Sequence, residues 1–212
     1  MKEMDMQQNT EGSVIQDRSK RRFIFGLSTL IGGATATQLL GGNALSVALA
    51  YTPKPNSTAS AGKLFSQADM LMLRDICALV IPKTETLGAA EVDVHGFIDN
   101  QLFHCYGEDE QQQAQKILLS LNAQAKKRYK QSFSLCSAAQ QLTLLTDVEQ
   151  ARNGFNTDEK RQFKVLKELV IFGYYTSEVG ATQEQAYLPV PGDFKGSIPY
   201  DSVGKAWTPL GF

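Results

Sequence analysis

Residues 66–82 read SQADMLMLRDICALVIP, and this stretch has the marks of a helix at both ends. Ser66 is followed three residues later by Asp69, a variant of the capping box, and Phe65 stands at the staple position. Pro82 ends the helix because a proline disfavours the helical region for the residue before it. An apolar stripe between these ends recurs at helical spacing and is expected to face inward: Leu71, Leu73, Ile76, Leu79 and Val80.

Patterns of the same kind predict four more helices, at about residues 92–106, 108–133, 137–152 and 158–179. Ser137 with Gln140 forms another capping box, and Asn156 or Thr157 caps the last helix. The predicted fold is therefore all-α, with about five helices in one compact domain over residues 65–212 and an irregular Pro/Gly-rich tail over 188–212. The residues expected to face inward are Val94, Phe97, Ile98, Leu102 and Phe103 in the second helix, and Phe163, Leu166, Leu169, Val170 and Tyr174 in the last.

The composition of the 212 residues is that of a globular protein and excludes several classes. Its 21 basic and 22 acidic side chains give a net charge of -1, whereas a nucleic-acid binder normally has a basic excess. No uninterrupted apolar run reaches the roughly 18 residues of a membrane span, so a multi-span membrane protein is excluded. Three cysteines and two histidines are too few for a disulfide scaffold or a zinc module.

Residues 1–50 have the layout of an export signal, a basic cluster followed by a weakly apolar run. Paired arginines ahead of such a run are typical of the twin-arginine signal, which carries folded proteins. Two registers fit the pattern, one pairing Lys20 with Arg21 and the other pairing Arg21 with Arg22. We therefore predict that Arg21 and Arg22 form an export signal. An ordinary basic signal or an uncleaved anchor remains open.

The run ends in Ala48-Leu49-Ala50, which places small residues at positions −3 and −1 of a cleavage site. We expect cleavage between Ala50 and Tyr51. Residues 51–64 follow, and they form a linker by composition because they are rich in Pro, Ser, Thr and Ala.

No motif for chemistry of its own is found in the chain. Gly-x-Gly-x-x-Gly after a strand, Cys-x-x-Cys-His, iron–sulfur spacing and Gly-x-Ser-x-Gly are all missing. His95 and His104 are nine residues apart, which places them on opposite sides of a helix, so they cannot share one metal ion. We therefore predict no catalytic, cofactor or metal site. Cys77 is expected to be a small buried residue, and a disulfide between Cys105 and Cys136 remains open.

An interface is indicated near the carboxyl end. Adjacent Tyr174 and Tyr175 point about 100° apart on a helix, so one can be buried and the other exposed. Gly180 is expected to cap this helix. The tail carries Phe194, Tyr200, Trp207 and Phe212, and an irregular aromatic segment must lie along another chain or pack back onto its own helices. The interface candidates are Tyr175, Glu178, Tyr200 and Trp207.

Three stretches, with the twin-arginine start, resemble the family of the small subunit, subunit 3, of gluconate 2-dehydrogenase. They are residues 79–89 (LVIPKTETLGA), 94–99 (VHGFID) and 167–180 (KELVIFGYYTSEVG). The resemblance spans most of residues 65–212, and Gly-Tyr-Tyr-Thr-Ser-Glu-x-Gly with the Pro/Gly tail is its most specific part. The sequence departs from the family at Leu87, where proline is common, which affects only that loop.

The resemblance implies a partner and not a reaction. Such small subunits accompany a large FAD-containing subunit and a multi-haem cytochrome c subunit at the outer face of the inner membrane. The small subunit carries the export signal, helps the flavoprotein to mature, holds no cofactor and meets the membrane only through the complex. Two rival hypotheses remain open: a stand-alone periplasmic enzyme using Glu178, Asp193 or His95, and a helical ligand-binding module.

Overall fold

The computed structural model describes residues 47, 48, 50–186, 199, 201 and 203–205. This part of the chain is helical and contains no β-strand, so the predicted all-α fold is confirmed. None of its helices is both long enough and apolar enough to cross a membrane. Arg21, Arg22, Asp193, Tyr200 and Trp207 lie outside the described residues. The α-helices are α1 (Gln67–Val80), α2 (Val94–Cys105), α3 (Glu108–Tyr129), α4 (Ala138–Glu149) and α5 (Thr157–Tyr175), with short helical turns at Ser57–Ala59, Phe133–Leu135 and Gly180–Glu184.

Three of the five helices begin at the capping boxes that the sequence indicates. The Ser66 hydroxyl accepts a hydrogen bond from the Asp69 N–H, while the Asp69 carboxylate accepts one from the Ser66 N–H. The same exchange joins Ser137 with Gln140, and Asn156 with the third residue of α5. Each cap satisfies backbone donors that the helix leaves open and stabilises it by about 1 kcal/mol. The predicted starts of α1, α4 and α5 are therefore confirmed.

Two helices end earlier than predicted. Helix α3 stops at Tyr129 because Lys130 takes the left-handed conformation (φ 61°). Helix α5 stops at Tyr175, where the hydroxyls of Thr176 and Ser177 donate to the carbonyls of Phe172 and Tyr174 and so compete with helix continuation. The expectation that Gly180 caps this helix is wrong, since Gly180 begins the separate π-helical turn instead.

Helix α5 is the central element, because it contacts each of the other four α-helices. Its inward side is the one predicted, and all five residues of that side are at least 96% buried. Burying side chains of this size contributes about 1.5–3 kcal/mol each, so this helix supplies much of the core. The residues are Phe163, Leu166, Leu169, Val170 and Tyr174.

Part of the predicted core is misplaced. In α1 the residues Leu71, Leu79 and Val80 are only half-buried, and the inner face is formed instead by Met70, Met72, Leu73, Ile76 and Cys77. Phe103 in α2 is 46% exposed, although it was expected to face inward. Its ring lies under the Lys63 ammonium group, 5.8 Å from the centroid, at the edge of the core. The prediction that Cys77 is a small buried residue is confirmed.

A buried carboxylate ties the end of α4 to α3 and to the loop before α5. Asp147 is 1% exposed. It accepts hydrogen bonds from Arg128 (2.6 Å), Arg152 (2.7 Å) and the Asn153 amide (3.1 Å). Burial acts to raise the pKa of Asp147, but the hydrogen bonds from these three residues outweigh it, so the pKa lies below its usual value. We call these four residues the Asp147 site.

Candidate functional site: a docked N-terminal strap

Residues 51–65, which we call the strap, lie against α1 and α2 rather than apart from them. The 3-10 turn within the strap, Ser57–Ala59, contacts both helices. The residues that receive the strap stand at the start of α2 and in its middle. They are Asp93, Gly96 and Asp99, and we call them the strap site.

Asp93 holds the first part of the strap. It directly precedes α2, takes the left-handed conformation (φ 61°) and is 4% exposed. One of its oxygens, Oδ2, accepts hydrogen bonds from the Tyr51 hydroxyl (2.6 Å), the Lys54 N–H (2.7 Å) and the Ser57 hydroxyl (2.8 Å). Hydrogen bonds to a carboxylate are among the stronger ones, so this oxygen organises the first half of the strap.

Asp99 holds the second part of the strap. Its carboxylate is 5% exposed and accepts three successive backbone N–H groups, those of Lys63 (2.7 Å), Leu64 (2.9 Å) and Phe65 (3.1 Å). Buried N–H groups outside regular structure need such acceptors, because leaving them unpaired costs about 1–3 kcal/mol each. The strap then delivers Phe65, 2% exposed, into the core.

Two glycines make this close approach feasible. A Cβ atom added to Gly96 would lie 2.3 Å from the Tyr51 hydroxyl oxygen and 2.8 Å from the Asp93 carboxylate. A Cβ atom added to Gly62 would lie 2.4 Å from an Asp99 oxygen. Any other residue would therefore push the strap away from α2.

The electrostatics of the site keep the groups around Asp93 uncharged. Burial, reinforced by the hydrogen bond to Asp93, raises the pKa of Tyr51, so its hydroxyl stays protonated and remains a donor. His95 is 5% exposed, and its Nε2 lies 3.2 Å from Asp93 Oδ1. Burial lowers the pKa of His95 more than the Asp93 charge raises it, so this imidazole is neutral near pH 7.

A cavity of about 620 Å³ lies beside the strap, and Tyr51, Lys63, Asp99, Asn100 and His104 are among its lining residues. Its polar groups are paired with one another, since the Lys63 ammonium donates to Asn100 Oδ1 (2.8 Å) and lies 2.6 Å from His104 Nε2. In the described part of the chain no group of three or more His, Cys, Asp and Glu side chains could hold a metal ion.

The residues of the rival enzyme hypothesis do not share one described environment. His95 is enclosed beside Asp93, whereas Glu178 is exposed just beyond α5, and Asp193 lies outside the described residues. An enclosed, neutral histidine is suited to packing and not to acid–base work on a bound substrate.

The two adjacent tyrosines divide as predicted. Tyr174 is 2% exposed and donates its hydroxyl to the Leu87 carbonyl (2.9 Å). Tyr175 is 40% exposed, and Ile171, one helical turn earlier on the same face, is 42% exposed. We call Ile171 and Tyr175 the α5 patch. Glu178, the other interface candidate in the described chain, is also exposed.

All three cysteines are free thiols. Cys77 and Cys136 are buried, and Cys105 is partly buried. The Cys136 thiol donates to the Ser132 carbonyl at 3.4 Å. No disulfide joins Cys105 to Cys136 in this structure.

Sequence reasoning did not identify the strap site. Its one signal was Asp99, a carboxylate among the apolar residues of α2, because a buried acid needs a partner. The partners themselves are mostly backbone N–H groups, which leave no mark in a sequence. Pairing across 34 to 42 residues also produces no local pattern.

The architecture is that of a small all-α unit with a docked N-terminal segment and an exposed aromatic residue at the end of its central helix. The family model described as gluconate 2-dehydrogenase subunit 3 matches residues 67–192, more than half of the 212 residues. The chain therefore belongs to the gluconate 2-dehydrogenase subunit 3 family. No curated protein and no solved structure matches the chain significantly. The matched region includes the strap site, whereas the strap itself precedes it.

Proposed function

We propose that this chain is the non-catalytic small subunit of a periplasmic, membrane-associated flavoprotein dehydrogenase complex of the gluconate 2-dehydrogenase type. It carries the export signal, Arg21 and Arg22 included, and assists maturation of the FAD subunit. The observation that carries the proposal is family membership over residues 67–192. Its partners are a large FAD-containing subunit and a multi-haem cytochrome c subunit, which hold the FAD and haem c of the complex.

The exposed end of α5 supports the partner. Tyrosine is enriched at protein interfaces, where a few aromatic residues supply about 2 kcal/mol or more each. The α5 patch presents Tyr175 beside Ile171, with 40% and 42% of their surfaces exposed. Glu178 follows within one turn, and we assign Tyr200 and Trp207 of the tail to the same interface.

The docked strap supports the escort role. The twin-arginine route accepts folded cargo, so the signal and the folded domain must be joined without a break in the fold. The strap follows the predicted signal directly, and six hydrogen bonds from the strap to Asp93 and Asp99 fix it to the domain. A partner bound to this domain would be carried with the signal.

Export and co-purification test the proposal together. The chain is expressed with the flavoprotein encoded beside it, and both are followed in the periplasm together with the flavin spectrum of the purified material. We expect the flavoprotein to co-purify, and Arg21→Lys with Arg22→Lys to remove both proteins from the periplasm. Normal export of both variants, or recovery of this chain alone without flavin, contradicts the proposal and favours a stand-alone protein.

A further inference from the structure

The Ala50–Tyr51 bond lies where the strap meets the helical unit. A signal peptidase binds its substrate as an extended segment and places small residues at −3 and −1 in its own pockets. In this structure the N–H of that bond, the Tyr51 amide, donates to the Ala48 carbonyl at 3.2 Å, which folds the site into a turn. Ala48, the residue at −3, is only 8% exposed and belongs to the core of the domain.

The residue after the bond is fixed as well. The Tyr51 hydroxyl donates to Asp93 at 2.6 Å, and its ring meets Phe97 edge-on with centroids 5.7 Å apart. Ala50 itself is exposed. The bond is therefore protected by its folded conformation and not by cover, and straightening it requires Tyr51 to leave Asp93 and Ala48 to leave the core.

From this geometry we propose that the docked strap keeps the Ala50–Tyr51 bond closed to signal peptidase, so that cleavage waits for release of Tyr51 from Asp93. The proposal rests on the proposed export function. Local opening of this kind costs less than global unfolding, and cleavage then follows the population of the opened form. Removal of the signal is thereby tied to the state of α2 and not only to arrival at the membrane.

The test uses the full-length chain, purified in a mild detergent and treated with a type I signal peptidase. The rate at which a new N-terminus appears at Tyr51 is measured by intact mass spectrometry. A synthetic peptide of residues 41–60 serves as the undocked reference. We expect the peptide to be cleaved at least tenfold faster than the folded chain, because one hydrogen bond to a charged group corresponds to about that factor.

Gly96→Ala is the informative variant, because it leaves the cleavage sequence intact. Its new Cβ atom would lie 2.3 Å from the Tyr51 hydroxyl oxygen and would displace it. We expect cleavage to accelerate about tenfold. Gly107→Ala is the matched control, since its Cβ atom would meet only the flexible Glu110 side chain, at 3.2 Å. Tyr51→Phe, corrected by the rate of a peptide with the same change, tests the same hydrogen bond if Gly96→Ala fails to fold.

Asp147→Asn separates local opening from global unfolding, since it weakens the fold far from the strap. Cleavage of Asp147→Asn at the wild-type rate supports the proposal, and equal acceleration by Asp147→Asn and Gly96→Ala overturns it. Folded wild-type chain that is cleaved as fast as the peptide also overturns it, while the export function stands. A peptide that is not cleaved between Ala50 and Tyr51 removes the processing site itself, and the proposal with it.

Discussion

The Asp147 site and the strap site both bury carboxylates, but they neutralise them differently. Asp147 faces two guanidinium groups, at 2.6 and 2.7 Å, so its charge is matched by charge. The hydrogen bonds that Asp93 and Asp99 accept from the strap come from neutral donors, namely two hydroxyls and four backbone N–H groups. Neutral donors are readily satisfied by water after release, whereas a buried charge that loses its partner is costly. The comparison indicates that the Asp147 site holds the helices together and that the strap site holds a segment that can be released.

Asp147→Asn is the strongest way to test this difference, and we expect it to have the largest effect on stability. The change keeps the shape but removes the charge that compensates Arg128 and Arg152. Breaking a fully buried pair costs about 3–5 kcal/mol, and because Arg152 is half exposed we expect about 2–3 kcal/mol in the free energy of unfolding by urea. Asp158→Asn, at a carboxylate whose side chain is 76% exposed, is the matched control and should change it by less than about 1 kcal/mol.

The same site predicts an acid dependence. The folded pKa of Asp147 is depressed, so its contribution to stability is complete above its usual value of 3.8 and is lost as the pH falls through the lower folded pKa. We expect the stability gap between wild type and Asp147→Asn to stay constant from pH 7 to about 5 and to narrow below about pH 4. Urea unfolding at each pH measures it. A gap that stays constant down to about pH 2 would show that the charge of Asp147 does not matter.

Asp99→Asn tests the other side of the comparison and should have a smaller global effect. The amide group would face backbone N–H groups of Lys63, Leu64 and Phe65 with one acceptor fewer. We expect a loss of about 1–2 kcal/mol. Hydrogen exchange should show the loss of protection concentrated in residues 63–65, with α3 to α5 unchanged. Uniform loss of protection across the helices would mean that the strap is part of the cooperative core, and the two sites would then not differ in kind.

The parts that sequence could predict are those with local causes. Ser66, Ser137 and Asn156 announce helix starts because a capping box lies within four residues. The inward side of α5 follows from a repeat of 3.6 residues. The strap site depends on pairing across 34 residues or more and on glycines whose missing Cβ atoms matter only in three dimensions. The early ends of α3 and α5 depend on Lys130 and Thr176, whose conformations no periodicity encodes.

The exposed aromatic residue of the α5 patch was predictable for a local reason as well, since Tyr174 is needed in the core and its neighbour must then point away. Tyr175→Ala should give the smallest stability change, within about 0.5 kcal/mol, because 40% of the side chain is already exposed. If the α5 patch binds the flavoprotein, recovery of the complex should nevertheless fall by about tenfold or more, as for an interface hot spot.

Leu119→Ala is the control for Tyr175→Ala, since this α3 residue is apolar and 64% exposed. Unfolding and co-purification are measured on both variants. Tyr175→Ala should weaken the complex without weakening the fold, and Leu119→Ala should change neither. Equal recovery with both variants would place the interface elsewhere on the subunit. A destabilised Tyr175→Ala subunit with an unchanged complex would show that Tyr175 serves its own domain, and the α5 patch would then belong with the Asp147 site, among the features that hold the helices together.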